Sequence, residues 1–237
     1  MMTAKTMDYS KEYDPDLDFD RWYTTLSARR IAKVLRPADQ VLELGSATGL
    51  LTQALAGSNR RFVCVERSDS YIARARARCL PGVHFEHCTI EEFQSRETFD
   101  QILAINVLHE VEDQRAVVEQ LIRLMSPDGR LHVTLPNPQS LHRLSALGSG
   151  MISDLCQMSA RGDKYQTRRL QHPEEFVAAM EELEIVEILR EPILAKPLPN
   201  AAMELLSDEL IEAYAELAWS LPKFGAMNYF VFRRRNG

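Results

Sequence analysis

The stretch Val41-Leu42-Glu43-Leu44-Gly45-Ser46-Ala47-Thr48-Gly49-Leu50 decides the reading of this chain. A short apolar run ends on a glycine, a second glycine follows four positions later, and an apolar helical pattern begins at once. A strand, a tight turn and a helix in that order put exposed backbone N–H groups at the carboxyl edge of a sheet. Two familiar loops of this kind are excluded by the residues themselves. A G-x-G-x-x-G dinucleotide loop needs glycines at positions 47 and 50, where Ala47 and Leu50 stand. A phosphate loop ends in Gly-Lys-Ser/Thr, but Gly49 is followed by Leu50 and Leu51.

Further strand-like runs follow at Arg61–Glu66, Val83–His87, Ile102–Ile105 and Arg130–Leu135, the last introduced by the turn Ser126-Pro127-Asp128-Gly129. Helical patterns separate them at Leu50–Ala56, Ser70–Leu80 and Asp113–Met125. This rhythm predicts an α/β fold with a parallel sheet and helices on both faces. After Pro136 the pattern changes. Residues 137–171 show no strand and are rich in Ser, Gly and Met. A helix is predicted from His172 to about Leu183, a strand over Glu184–Glu191, a helix over Met203–Trp219 and a final strand over Met227–Arg233. The chain reads as one domain, 1–237. It has an N-terminal lid or helix at 1–37, a core at 38–136, and substrate-side insertions at 137–171 and 192–226.

Glu66 ends the second strand. A carboxylate there can accept hydrogen bonds from both hydroxyls of a ribose. Together with the glycine turn it describes a site for an adenosine-type ligand without a pyrophosphate.

The 237 residues carry 28 Lys plus Arg against 34 Asp plus Glu, a net charge of −6, which argues against a nucleic-acid partner. No uninterrupted apolar run is long enough for a membrane helix, and residues 1–20 lack the apolar segment of a secretory leader. The four cysteines, Cys64, Cys79, Cys88 and Cys156, form no C-x-x-C pair and read as reduced thiols, so a cytoplasmic location is expected.

Four segments in order, Glu43–Gly49, Val65–Ser68, Phe99–Val111 and Ser126–Leu131, resemble the motif series of the class I S-adenosylmethionine-dependent methyltransferases. The resemblance covers about residues 38–140. It implies a Rossmann-like, mostly parallel seven-stranded sheet with an antiparallel last strand and helical insertions over the active site. It implies S-adenosylmethionine as cofactor and S-adenosylhomocysteine as product. Glu43, Gly45, Ser46, Ala47 and Gly49 would lie along the methionine part, and Glu66 and Arg67 at the ribose. Thr89 and Ile90 would flank the adenine, Asn106 would line the pocket, and Tyr13 in the lid would approach the methionine carboxylate. The sequence departs from the family at Ala47, in place of the usual middle glycine, and at Thr89, where many members carry Asp.

Methyl transfer to a hydroxyl needs a base, whereas an amine needs only to arrive neutral. Two histidines compete for that role. His109 lies in Leu108-His109-Glu110-Val111, where many relatives have the His and Glu reversed. His142 lies in Pro136-Asn137-Pro138-Gln139-Ser140-Leu141-His142-Arg143, which resembles a segment of a bacterial subgroup acting on small polar metabolites. His142 is the first choice for the base, with substrate hydrogen bonding or packing as alternatives. Arg143, Arg168 and Lys196 are expected at the substrate, and Arg169 is a weaker addition. No metal ligand set is expected. The resulting expectation is methylation of a hydroxyl on a small polar, sugar-like or anionic metabolite. The alternatives are an N-methyltransferase of a small amine or amino sugar, and a non-catalytic adenosyl-binding protein. A homodimer is compatible with this reading.

Overall fold

The computed structural model describes residues 9–57, 60–164, 167–168 and 170–235. Its strands are β1 (Gln40–Leu44), β2 (Arg61–Glu66), β3 (Val83–His87), β4 (Phe99–Ile105), β5 (Met125–Pro136), β6 (Ile185–Ile193) and β7 (Met227–Arg234). They form one seven-stranded sheet in the order β3-β2-β1-β4-β5-β7-β6. The first five strands pair parallel, and β7 runs antiparallel to both β5 and β6. The chain builds outward from β1 in one direction, then returns to place β4 on its other side. A crevice opens where the carboxyl ends of β1 and β4 diverge, the usual ligand position in open sheets of this kind.

The helices are α1 (Arg21–Ile31), α2 (Leu50–Leu55), α3 (Asp69–Ala77), α4 (Gln114–Leu124), α5 (Leu141–Gly148), α6 (Ala160–Lys164), α7 (Pro173–Glu181), α8 (Asn200–Met203) and α9 (Asp208–Ser220). Strand residues alternate between faces, so each strand feeds two cores. Phe62 and Cys64 of β2 join a cluster with α1, α2, α3 and α9. Val63 and Val65 join the opposite cluster, with Val117 and Leu121 of α4 and Phe176 of α7.

Several boundaries differ from the sequence reading, and two of them bear on the architecture. The turn at Ser126–Gly129 lies inside β5, where pairing jumps from Phe99↔Met125 to Gln101↔Arg130. The helix predicted at Met203–Trp219 is two helices, because the Ser207 hydroxyl caps a new start by accepting from the Leu210 N–H.

A buried polar chain crosses the sheet. His132 Nε2 and Nδ1 lie 2.7 Å from Gln101 Oε1 and 2.7 Å from the Tyr229 hydroxyl, and Gln101 donates to Asp39 at 3.0 Å. Burial, with Arg130 nearby, pushes the His132 pKa down to about 3. The folded pKa lies below the unfolded one, so His132 contributes stability that is whole above about pH 6.5. That contribution falls as pH drops from there towards 3. Urea titrations should show unfolding free energy declining below pH 6.5, with about 1.4 kcal/mol per pH unit due to this residue. His132→Gln should remove that share of the slope, and an unchanged slope would refute it.

Candidate functional site

At the end of β1 the backbone turns left-handed three times, at Gly45 (φ 67°), Ala47 (φ 44°) and Gly49 (φ 77°). The neighbours demand it. A Cβ on Gly45 would sit 3.0 Å from Val107 Cγ2, and one on Gly49 would sit 3.2 Å from Ala75 Cβ. The Gly45 and Ser46 N–H groups donate to the Val65 carbonyl at 2.9 and 3.2 Å, which ties the turn to β2. Beside this turn is a pocket of about 380 Å³, part of it open to solvent. Glu43, Gly45, Ser46 and Ala47 line it, as do Pro15 from the N-terminal segment, Thr24 from α1 and Ile105 from β4.

Both acids sit at strand ends. Glu66 accepts the Ala47 N–H at 2.9 Å on one oxygen and the Ser68 N–H at 2.8 Å on the other. The Arg67 backbone also hydrogen-bonds this carboxylate, which leaves room for a further hydroxyl donor among its roughly four lone-pair sites. Burial raises the Glu66 pKa despite these bonds. Glu43 accepts the Thr52 hydroxyl at 2.6 Å, and burial pushes its pKa up to about 7. Ser46 Oγ is buried and, among the described residues, has no hydrogen-bond partner.

The N-terminal segment is strapped across this turn by acids that the sequence reading passed over. Asp16 accepts from the Thr48 hydroxyl at 2.6 Å and from Arg74 and Arg78 at 2.9 and 2.8 Å. Arg78 also donates to the Thr48 carbonyl at 2.6 Å. The only hint in the sequence was an acid-rich segment ahead of an arginine-rich helix. Tyr13 lies in the strap. Its carbonyl accepts from the Tyr71 hydroxyl at 2.6 Å, and its own hydroxyl donates to Asp20 at 3.3 Å.

Asn106 has a left-handed φ of 57°. Its N–H donates to Thr134 Oγ1 at 2.7 Å, which fixes the exit of β4. The Arg67 carbonyl accepts from the His87 ring at 3.0 Å. Ile90 is buried. Thr89 is engaged locally: its hydroxyl donates to Glu92 at 2.9 Å and accepts the Glu92 N–H at 3.3 Å. That reciprocal cap turns the hydroxyl away from the adenine role expected of it.

On the acceptor side, His109 is buried, and burial pushes its pKa down to about 4. His142 is partly buried, and its pKa is pushed down to about 3 by burial and by the charges of Lys196 and Arg143. Both imidazoles are therefore neutral near pH 7 but weakly basic. An efficient general base has a pKa near the working pH, so the expected base role of His142 is poorly matched. Arg143 also departs from expectation. Its guanidinium donates to the Leu155 and Gln157 carbonyls at 2.8 and 2.5 Å, holding the first insertion rather than reaching for a ligand. Arg168 is exposed, with its N–H on the His109 carbonyl at 2.9 Å. Lys196 is buried and donates to Asn200 Oδ1 at 2.6 Å. The side chain of Tyr9 and all of Arg169 lie outside the described residues. Among the described residues, no group of three or more His, Cys, Asp or Glu is arranged to hold a metal.

Residues 35–190 match the family described as "Methyltransferase domain". The chain belongs to that family. It is an S-adenosylmethionine-dependent methyltransferase domain. It is 31% identical over 126 residues to Nodulation protein S of Bradyrhizobium diazoefficiens, covering 47% of this chain and 60% of that protein. It is 29% identical over 101 residues to the ubiquinone biosynthesis O-methyltransferase of the same organism, covering 41% of this chain and 40% of that one. The chain thus spans about half the length of the curated relatives it matches. A solved structure of N-methyltransferase NodS from Bradyrhizobium japonicum WM9 with S-adenosyl-L-homocysteine shares the fold. Its TM-score is 0.59 at 18% identity, over 95% of this chain and 92% of that one.

The site fits the cofactor. A side chain on either glycine would crowd the turn, Ser46 has a hydroxyl without a partner among the described residues, and Glu66 has a lone pair left for a ribose hydroxyl. The Glu43 pKa makes binding pH-dependent. A cationic ammonium in the pocket favours the Glu43 carboxylate, so affinity should rise with pH through about 7. Calorimetry with S-adenosylhomocysteine should give about tenfold tighter binding at pH 8 than at pH 6. Glu43→Gln should flatten that difference. Glu66→Ala should weaken binding about 10–100-fold, the usual weight of hydrogen bonds to a charged group.

Proposed function

We propose that this chain transfers the methyl group of S-adenosylmethionine to an oxygen of a small polar metabolite and releases S-adenosylhomocysteine. One observation carries the choice of oxygen. The charges that act on His142 are those of Lys196 and Arg143, both positive. An amine acceptor arrives as an ammonium near neutral pH and is repelled there. An oxygen acceptor, neutral or anionic, is not. The likeness to Nodulation protein S, whose relative is described as an N-methyltransferase, supports the alternative of a small amine.

In this reading the chain's own residues bind and orient. The glycine turn and Glu66 hold the adenosyl donor. The strap formed around Asp16 covers it and excludes water. The ends of β4 and β5, with the two insertions, bring the acceptor into line, which supplies much of the acceleration in a displacement of this kind. The donor, when bound, offers a methyl group on a sulfonium.

The small-molecule assignment agrees with a net charge of −6. Among the described residues no helix is long and apolar enough to cross a membrane.

Incubation with methyl-labelled S-adenosylmethionine and a polar metabolite extract should move label into the small-molecule fraction, not into RNA or protein. Below the amine pKa, kcat/KM for an amine acceptor should climb about tenfold per pH unit as the ammonium loses its proton. An oxygen acceptor that ionises outside pH 6–8 should show no such climb. A tenfold-per-unit rise would transfer the assignment to nitrogen.

A further inference from the structure

Among the described residues, the place where the two insertions meet holds buried polar atoms without hydrogen-bond partners. An ammonium has three N–H groups. Lys196 Nζ places one on Asn200 Oδ1 at 2.6 Å. Phe19 and Tyr23 present their rings to it at 5.7 and 5.8 Å. Among the described residues no carboxylate lies within ion-pair distance of Nζ. Asp20 is reached through Asn200, which donates to it at 2.9 Å. Asp18 and Asp20 are themselves paired with Arg161, at 2.8 and 2.9 Å.

Two further groups lie close in the chain. Ser140 stands at the N-cap of the eight-residue helix α5, yet its hydroxyl makes no capping bond. It is fully buried, and among the described residues its Oγ has no partner. His142 Nδ1 is likewise buried without a partner. The His142 N–H donates to the Lys196 carbonyl at 3.1 Å, which stitches the two insertions together at this point. A hydroxyl, an imidazole N–H and an ammonium can all donate, and the start of a helix favours negative charge. Such a surplus of donors calls for a ligand that only accepts.

We propose that the reacting group of the acceptor is a carboxylate, held by Lys196, Ser140 and His142, and that the product is a methyl ester. This rests on the oxygen-methylation reading above and narrows its substrate class. A carboxylate brings its own electron pair. One oxygen forms the new O–CH3 bond as the C–S bond breaks, and the pair from that bond stays on sulfur as the neutral thioether. No proton is removed, so no base is needed. That agrees with His142, whose pKa of about 3 suits a neutral hydrogen-bond donor. Lys196 thereby becomes a substrate-binding residue, and the two neutral donors beside it position the carboxylate.

The test reads the transferred label. Methyl esters release volatile labelled methanol in mild alkali, whereas methyl ethers and N-methyl groups do not. Label carried by S-adenosylmethionine into a polar metabolite extract, and separately into citrate and succinate as defined probes, is treated with alkali. Alkali-labile label in the extract products supports the carboxylate. Alkali-stable label there overturns it and leaves the transferase reading standing. No labelled small molecule at all overturns the reading beneath both.

The chain variants add a second check. Lys196→Met should raise the KM for the labelled acceptor about 10–100-fold, and Lys196→Arg should recover most of it. S-adenosylhomocysteine affinity serves as the control for folding. His142→Ala should raise the KM for the labelled acceptor about tenfold, and His142→Gln, which keeps a side-chain N–H, should recover most of it, whereas removal of a base would be read in kcat. A kcat loss of about 100-fold or more would restore the base role and overturn the proposal.

Discussion

The Glu66 carboxylate holds two loops at the open edge of the sheet. One oxygen takes the Ala47 N–H and the other takes the Ser68 N–H. The first amide belongs to the turn after β1 and the second to the start of α3. Both helices therefore begin from a common anchor, and the spacing between them is set by one planar group. Hydrogen bonds to an ionised acceptor are about twice as strong as neutral ones, so this anchor is stiff. The left-handed turn beside it has little freedom left. Val107 closes one side of Gly45 and Ala75 closes one side of Gly49. The geometry of the cofactor edge is thus set by the chain's own contacts.

The strap over that edge follows from the same logic. Asp16 meets a hydroxyl of the turn and two arginines of the α3 segment. Arg78 closes the circuit by donating to the Thr48 carbonyl. These ion pairs are partly exposed, and such pairs individually contribute little. Their value lies in being shared: the strap, the turn and α3 move as one piece or not at all. A second set of contacts continues towards the acceptor side, where Arg161 reaches Asp18 and Asp20, and Asn200 carries the connection on to Lys196. The N-terminal segment is therefore in contact with both halves of the reaction site.

Much of the cofactor half was legible in the sequence. Gly45, Gly49 and Glu66 carry signals that do not depend on distant contacts, because a turn chemistry and a strand-end acid are local features. The acceptor half was less legible. His142 reads there as a base, but its pKa is set by burial and by two cations, one of them 54 positions further along the chain. Arg143 and Thr89 read as ligand residues, yet Arg143 is met by carbonyls 12 and 14 positions further along and Thr89 by Glu92, 3 positions away. Asp16, Asp18, Asp20 and Arg161 were missed because surface-type residues show no periodicity when their partners lie on other elements.

By itself, the sequence determined the fold and the kind of cofactor. Alternating apolar runs fix which residues face the sheet's two cores, and those patterns act over a few residues at a time. Only the tertiary structure decided what the polar groups do. Charge and hydrogen bonding reach across strands and insertions, and burial decides how strongly they act. That is why one histidine can read as a base in the sequence and stand in the folded chain as a neutral imidazole acted on by two cations.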